Sequence, residues 1–205
     1  MTIVRLSARF IPLVAVVAVA LGFTAVAVAA VITGTNGPDQ IRGTNQADQI
    51  SALAGNDFVD AERGNDQVDG GAGADKLEGN RGKDEINGRD GRDELRGGPQ
   101  DDTLSGDIGR DNVDGQDGDD TLNGNAGPDD LRDNKGADTF AGGAGADRVD
   151  ARDSGGQPVA SSRDTVICEG GDEVRVDRND TIVNRAQCAS VDRDGSGSGG
   201  SGSSG

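Results

Sequence analysis

Residue types recur every nine positions from Ile32 to Arg148, thirteen times, with no residue inserted or lost. The first position of each unit is a large apolar residue: Ile32, Ile41, Ile50, Val59, Val68, Leu77, Ile86, Leu95, Leu104, Val113, Leu122, Leu131 and Phe140. The eighth is aspartate in every unit: Asp39, Asp48, Asp57, Asp66, Asp75, Asp84, Asp93, Asp102, Asp111, Asp120, Asp129, Asp138 and Asp147. Glycine holds the sixth position except at Gln46 and Gln100, and the third except at Ala52, Ala61 and Asp133. One apolar residue in nine is too sparse for a helical stripe of period 3.6. Glycine at fixed offsets marks backbone that turns through positive φ or packs too closely for a side chain. The unit is therefore a very short strand plus a turn, and the fold class is all-β.

Gly70-Gly71-Ala72-Gly73-Ala74-Asp75-Lys76-Leu77 and Gly142-Gly143-Ala144-Gly145-Ala146-Asp147-Arg148-Val149 have the pattern G-G-x-G-x-D-x-U at every defined position. This resembles the hemolysin-type calcium-binding repeat of the RTX proteins, a solenoid signature associated with Ca²⁺. The resemblance covers residues 32–148, more than half of the 205-residue chain. It implies a right-handed parallel β-roll of thirteen nonapeptides, two to a coil, with successive turns on opposite edges. Aspartates 18 residues apart then stack. One ladder would be Asp39, Asp57, Asp75, Asp93, Asp111, Asp129 and Asp147, and the other Asp48, Asp66, Asp84, Asp102, Asp120 and Asp138.

Stacked coils lie about 4.8 Å apart, and two carboxylates at that distance repel by about 1 kcal/mol even in the dielectric of water. A hard cation that takes six to eight oxygens, as Ca²⁺ does, would bridge them and complete its shell with turn carbonyls; Mg²⁺ fits less well because it retains waters in a tight octahedron. Zinc is disfavoured by the absence of His and of a cysteine cluster. Counting the gaps on both ladders allows at most 11 ions. Units 50–67, with Ala52-Leu53 and Ala61-Glu62 in place of Gly-Gly, and unit 95–103, with Pro99-Gln100, depart from the motif. Asn80, Asp107, Asn125 and Asn134 replace the second glycine, where left-handed backbone is tolerated. The bland alternative, that these aspartates only cap turns, would admit Asn and Ser at position eight, where neither occurs.

Composition alone, with no Trp, Tyr or His, four Phe and a net charge of −17, reads as disorder. The unbroken period overrules that reading, because a solenoid also needs only a thin core. The dispersed and outnumbered Lys and Arg residues leave no basic stripe for nucleic acid. Without histidine no ordinary serine triad or His-activated Cys168 can form. Without Trp or Tyr a glycosidase pair lacks a sugar platform. A binding and structural protein, not an enzyme, is expected.

Residues 1–30 form a separate object. Arg5 and Arg9 precede an uncharged run from Phe10 to Val31 that ends in Ala25, Ala27, Ala29 and Ala30, the layout of a secretory signal peptide cleaved near Ala30. The alternative is an uncleaved membrane anchor, since the run exceeds about 18 residues. Both place the repeats outside the cytoplasm, so the chain is expected to be secreted or extracellular.

The period of nine breaks after residue 150, and Asp164, Asp172 and Asp180 follow at a spacing of eight. Two cysteines in an exported chain, Cys168 and Cys188, are expected to form one disulfide. Residues 150–192 resemble the degenerate caps that follow such repeats, closing the apolar edge that the repeats of 31–149 would leave open. Residues 193–205 are a Gly/Ser tail. The reading is a secreted protein whose folding is driven by calcium. The competing reading is a cell-surface adhesion or interaction scaffold in which calcium is only structural. Ice binding through a threonine ladder is set aside, because the ladder ends after Thr35 and Thr44.

Overall fold

The computed structural model describes residues 29–152, 163–177 and 180–193. The expected leader and the Gly/Ser tail fall outside the described residues, apart from the last two residues of the leader and the first of the tail.

The described chain winds into a parallel β-solenoid with two nine-stranded sheets. One sheet takes the odd strands: β1 (Val31–Thr33), β3 (Gln49–Ser51), β5 (Gln67–Ala72), β7 (Glu85–Gly91), β9 (Thr103–Gly109), β11 (Thr121–Ala126), β13 (Thr139–Ala144), β15 (Thr165–Ile167) and β17 (Thr181–Val183). The other takes the even strands: β2 (Gln40–Arg42), β4 (Phe58–Asp60), β6 (Lys76–Glu78), β8 (Glu94–Pro99), β10 (Asn112–Asp117), β12 (Asp130–Arg132), β14 (Arg148–Ala151), β16 (Asp172–Val176) and β18 (Cys188–Arg193). Register within the repeats is held at one coil of 18 residues, so that Val68 lies beside Ile86 and Val113 beside Leu95. Among the described residues no helix is long and apolar enough to cross a membrane.

Every first-position residue is buried; the most exposed of them, Ile41, shows 8% of its surface. Each sits at the centre of a short strand whose neighbours point outward, as period-two geometry requires. The outward residues form ion pairs between and within coils, including Arg89 with Asp69 at 2.8 Å and Arg132 with Asp114 at 2.9 Å. The Arg89–Asp69 pair is largely exposed, and such pairs contribute on the order of 0–1 kcal/mol, whereas Asp114 of the second pair is buried.

The turns explain the glycine pattern. At position four the backbone is left-handed even without glycine: Leu53 has φ 78°, Glu62 76°, Asn80 70°, Arg89 79° and Asn125 73°. Asn134 does not follow, and neither do Thr35 and Thr44, since their φ is not positive. At position six the coils touch backbone to backbone, and a Cβ on Gly73 or Gly82 would collide with the carbonyl oxygen of Gly55 or Gly64.

The C-terminal segment is built from the same two sheets. β15 pairs with β13 and β17 with β15; β16 pairs with β14 and β18 with β16. Val166, Val174 and Val176 extend the buried column of the repeats. A Cys168–Cys188 disulfide joins the residue after β15 to the first residue of β18, so it ties one sheet to the other at the end of the solenoid.

Candidate metal centre

The aspartate at position eight stands two residues before the apolar centre of the next strand, at the point where the chain leaves a turn. Its Oδ1 accepts the backbone N–H of the aspartate one coil earlier. The bond from Asp57 to Asp75 is 2.8 Å, from Asp75 to Asp93 2.8 Å, from Asp93 to Asp111 2.9 Å and from Asp111 to Asp129 2.8 Å. The second ladder repeats this from Asp48 through Asp66, Asp84, Asp102 and Asp120 to Asp138. The structure thus brings all thirteen position-eight aspartates into two ladders with a rise of 18 residues.

One oxygen of each carboxylate is spent in this way. The other, Oδ2, is buried without a hydrogen-bond partner in Asp57, Asp66, Asp75, Asp84, Asp93, Asp102, Asp111, Asp120, Asp129 and Asp147. An unpartnered buried carboxylate oxygen costs several times what a neutral one does. From Asp75 onward each points to the side-chain-free face of its own turn's third-position glycine, whereas Asp57 and Asp66 have Ala52 and Ala61 at that position. A Cβ built on Gly88 would lie 2.6 Å from Asp93 Oδ2 and 2.9 Å from the carbonyl oxygen of Gly106; on Gly124 it would lie 2.5 Å from both Asp129 Oδ2 and the Gly142 carbonyl. Glycine is needed there because a carboxylate oxygen and a carbonyl oxygen converge on the space that a side chain would fill.

Burial raises the carboxyls of the rungs named below above their ordinary range, while the backbone N–H that each accepts pulls the other way. Asp66 and Asp93 are pushed up to about 7 and Asp102 to about 8, with the flanking rungs of the ladder adding repulsion. Asp129 and Asp147 rise to about 6. Asp57, Asp75, Asp84 and Asp111 are raised as well, by burial first. Stacked, desolvated and short of donors, these groups form an all-oxygen, anionic environment suited to a hard divalent cation.

The sequence matches the RTX calcium-binding nonapeptide repeat in four copies, at residues 33–68, 69–104, 96–131 and 123–153. The chain belongs to the RTX calcium-binding repeat family. No curated protein matches it as a relative. RTX repeats thus account for the chain from residue 33 to residue 153, and the two ladders lie within that span apart from their C-terminal additions.

Three features of this RTX chain are not legible from the motif. The ladders run on past the repeats: Asp138 donates its N–H to Asp164 Oδ1 at 2.9 Å, Asp147 to Asp172 Oδ1 at 3.3 Å and Asp164 to Asp180 Oδ1 at 3.2 Å. The spacing of eight hid these three rungs, although the Asp-x-apolar signature was visible. In the first two turns the carboxylates are already used locally, since Thr35 donates its N–H to Asp39 Oδ2 at 2.5 Å and Thr44 to Asp48 Oδ2 at 2.6 Å. These two therefore also cap their turns. Lastly, Asp133, which stands where glycine is the rule, is buried against the second ladder.

Proposed function

We propose that this chain binds calcium along both aspartate ladders, and that binding drives it to fold as a secreted, non-catalytic protein. The observation that carries the reading is the set of buried ladder Oδ2 atoms without partners, of which those of Asp75, Asp84, Asp93, Asp102 and Asp129 converge with a backbone carbonyl on a third-position glycine. The ligands would be the ladder aspartates Asp39 to Asp147, with the strongest case from Asp57, Asp66, Asp75, Asp84, Asp93, Asp102, Asp111, Asp120, Asp129 and Asp147, whose buried Oδ2 atoms have no hydrogen-bond partner. Up to about 11 ions follow from the gaps between rungs at the ~4.8 Å coil spacing.

A bound divalent cation supplies positive charge and the oxygen coordination that the carboxylates lack. The protein does the rest. Each Oδ1 stays tied to the coil before it, which fixes the carboxylate plane and leaves Oδ2 aimed inward. Third-position glycines keep the approach open, and the carbonyl of the following coil completes the cradle. A groove of about 750 Å³ lined by Asp75, Asp93, Asp111 and Asp129 gives access to the first ladder.

Folding should depend on the cation because the core is thin. One aliphatic side chain per nine residues cannot offset the conformational entropy of all nine. Without neutralisation the raised carboxyls oppose stacking. Export is supported by the leader-like residues 1–30 and by the Cys168–Cys188 disulfide, which persists in oxidising compartments.

Circular dichroism of the EDTA-treated chain without residues 1–30, titrated with calcium from micromolar to millimolar, tests the proposal. A cooperative gain of β signal is expected. Identical spectra with and without EDTA would remove the folding role.

A further inference from the structure

The second ladder contains one place unlike any other. At Gly79, Gly88 and Gly124 the space left by the missing side chain is faced by one aspartate Oδ2 and one backbone carbonyl. At Gly115 the carbonyl is replaced by a carboxylate: a Cβ there would lie 2.5 Å from Asp120 Oδ2 and 2.9 Å from Asp133 Oδ2. Asp120, Asp133 and Asp138 each bring a carboxylate oxygen within 4.8 Å of the others, and all three are buried. Among the described residues this is the one group of three acidic side chains so arranged.

The atoms aimed into this point are orphans. Asp120 is 2% exposed and Asp133 7% exposed, and Oδ2 of each has no hydrogen-bond partner. Asp133 Oδ1, by contrast, is fixed by the backbone N–H of Asn134 at 2.6 Å, so the carboxylate is held with its free oxygen turned inward. The turn around it has been rebuilt to do this. Asn134 leaves the left-handed conformation that the fourth positions from Leu53 to Asn125 share, and the N–H groups of both Asn134 and Lys135 bond the Gln116 carbonyl at 3.1 Å.

We propose that Asp120, Asp133 and Asp138 form a three-carboxylate cation site, distinct from the repeat sites in using a side chain where they use a backbone carbonyl, and that it is the tightest site on the chain. The inference rests on the calcium reading above for the identity of the ion and goes beyond it in assigning a rank and a role to Asp133. The surroundings agree. Asp133 is buried facing the buried carboxylates of Asp120 and Asp138, and three carboxylates so close and so desolvated need a counter-charge. Asp119 precedes Asp120 in the second ladder, where the first ladder has Arg92 and Arg110 at the matching position, so the edge beside Asp120 favours a cation more than the edge beside Asp93 and Asp111; Asp101 on the same edge is paired with Lys83. A third carboxylate in a hard-oxygen site raises affinity for Ca²⁺ and still more for a trivalent ion of similar size.

The competing account is that Asp133 is a neutral acid sharing a proton with Asp138, with no ion involved. Calcium titration of the full chain without residues 1–30, followed by isothermal titration calorimetry, separates the two. The wild type should show one site at least about tenfold tighter than the remainder. Asp133→Gly, which restores the residue found in ten of the thirteen units, should lose that site and leave the other sites as they were. Asp133→Asn, which keeps the shape and the bond from Asn134, should do the same if Asp133→Gly fails to fold in saturating calcium. Lanthanum should displace calcium first from the wild-type tight site and show no such preference in either variant. An unchanged tightest constant and stoichiometry in both variants would overturn this site while leaving the ladders intact; no calcium binding by the wild type would overturn both readings.

Discussion

The backbone N–H of Asp75 donates to Oδ1 of Asp93, one coil further on, at 2.8 Å. This bond decides what Asp93 has left to offer. Its Oδ1 is occupied, its own N–H is given to Asp111, and its Oδ2 is buried and unpartnered beside Gly88. In Asp93→Asn the amide oxygen can still accept from Asp75, but an NH₂ then stands where a cation would be held. The calcium midpoint of folding should rise on the order of tenfold, equivalent to about 1.4 kcal/mol. Asp90→Asn, an exposed carboxylate in the same turn, removes the same charge without touching the ladder and should shift the midpoint less than about twofold. Equal, small shifts in the two variants, read by circular dichroism, would leave Asp93 as a turn cap only.

The disulfide closes a loop with a sequence separation of 20 between its cysteines. On the chain-entropy model this contributes about 3 kcal/mol. Cys168→Ala should therefore lower the thermal midpoint in saturating calcium on the order of 10 °C. Asp172 and Asp180 lie inside the loop and carry the last rungs of the two ladders, so those rungs should loosen first while the central repeats keep their calcium midpoint. Calorimetry measures the first effect and amide exchange the second. Two reactive thiols in the wild-type protein purified without reductant would contradict the bridge.

Acid should substitute for calcium in part. The ladder carboxyls titrate near 3.8 when unperturbed but are raised to between about 6 and about 8 in the ion-free coil at Asp66, Asp93, Asp102 and Asp129. A raised folded-state value means that the coil holds protons which the unfolded chain releases. The stability that these groups provide without ions is complete below about pH 4 and is lost as pH rises through about 6 to 8. In EDTA the β signal should therefore grow as pH falls from 8 to 5. Protons and calcium compete for the same carboxylates, so the calcium midpoint should be higher at pH 6 than at pH 8. A calcium midpoint independent of pH over that interval would show that the ladder carboxylates are not the ligands.

Much of this was open to reading in the linear chain. An exact period of nine with one apolar residue and one aspartate per unit leaves little choice but a solenoid, because each unit is too short to bury its own apolar residue and must stack on copies of itself. Residues Ile32 to Val149 were legible as the core for the same reason, and the two ladders followed from counting by 18. Leu53 and Glu62, which lack the expected glycine, nonetheless adopt its left-handed φ, because the close-packed coils on either side impose the turn.

The sequence by itself determined the repeat, the all-β class, the buried column and the positions of the thirteen aspartates, since all of these are fixed by spacing along the chain. The tertiary structure alone decided which oxygen each aspartate keeps free, because Oδ1 is claimed by an N–H that lies 18 residues away in sequence and adjacent in space. It also decided that Asp164, Asp172 and Asp180 are rungs of the same ladders, since strand pairing restores a register that the change of period concealed. And it decided that Asp133 faces Asp120 across the vacant side of Gly115. A substituted glycine reads as a defect in a one-dimensional pattern, and only the contact between coils shows that the substituent fills the place of a carbonyl with a charge.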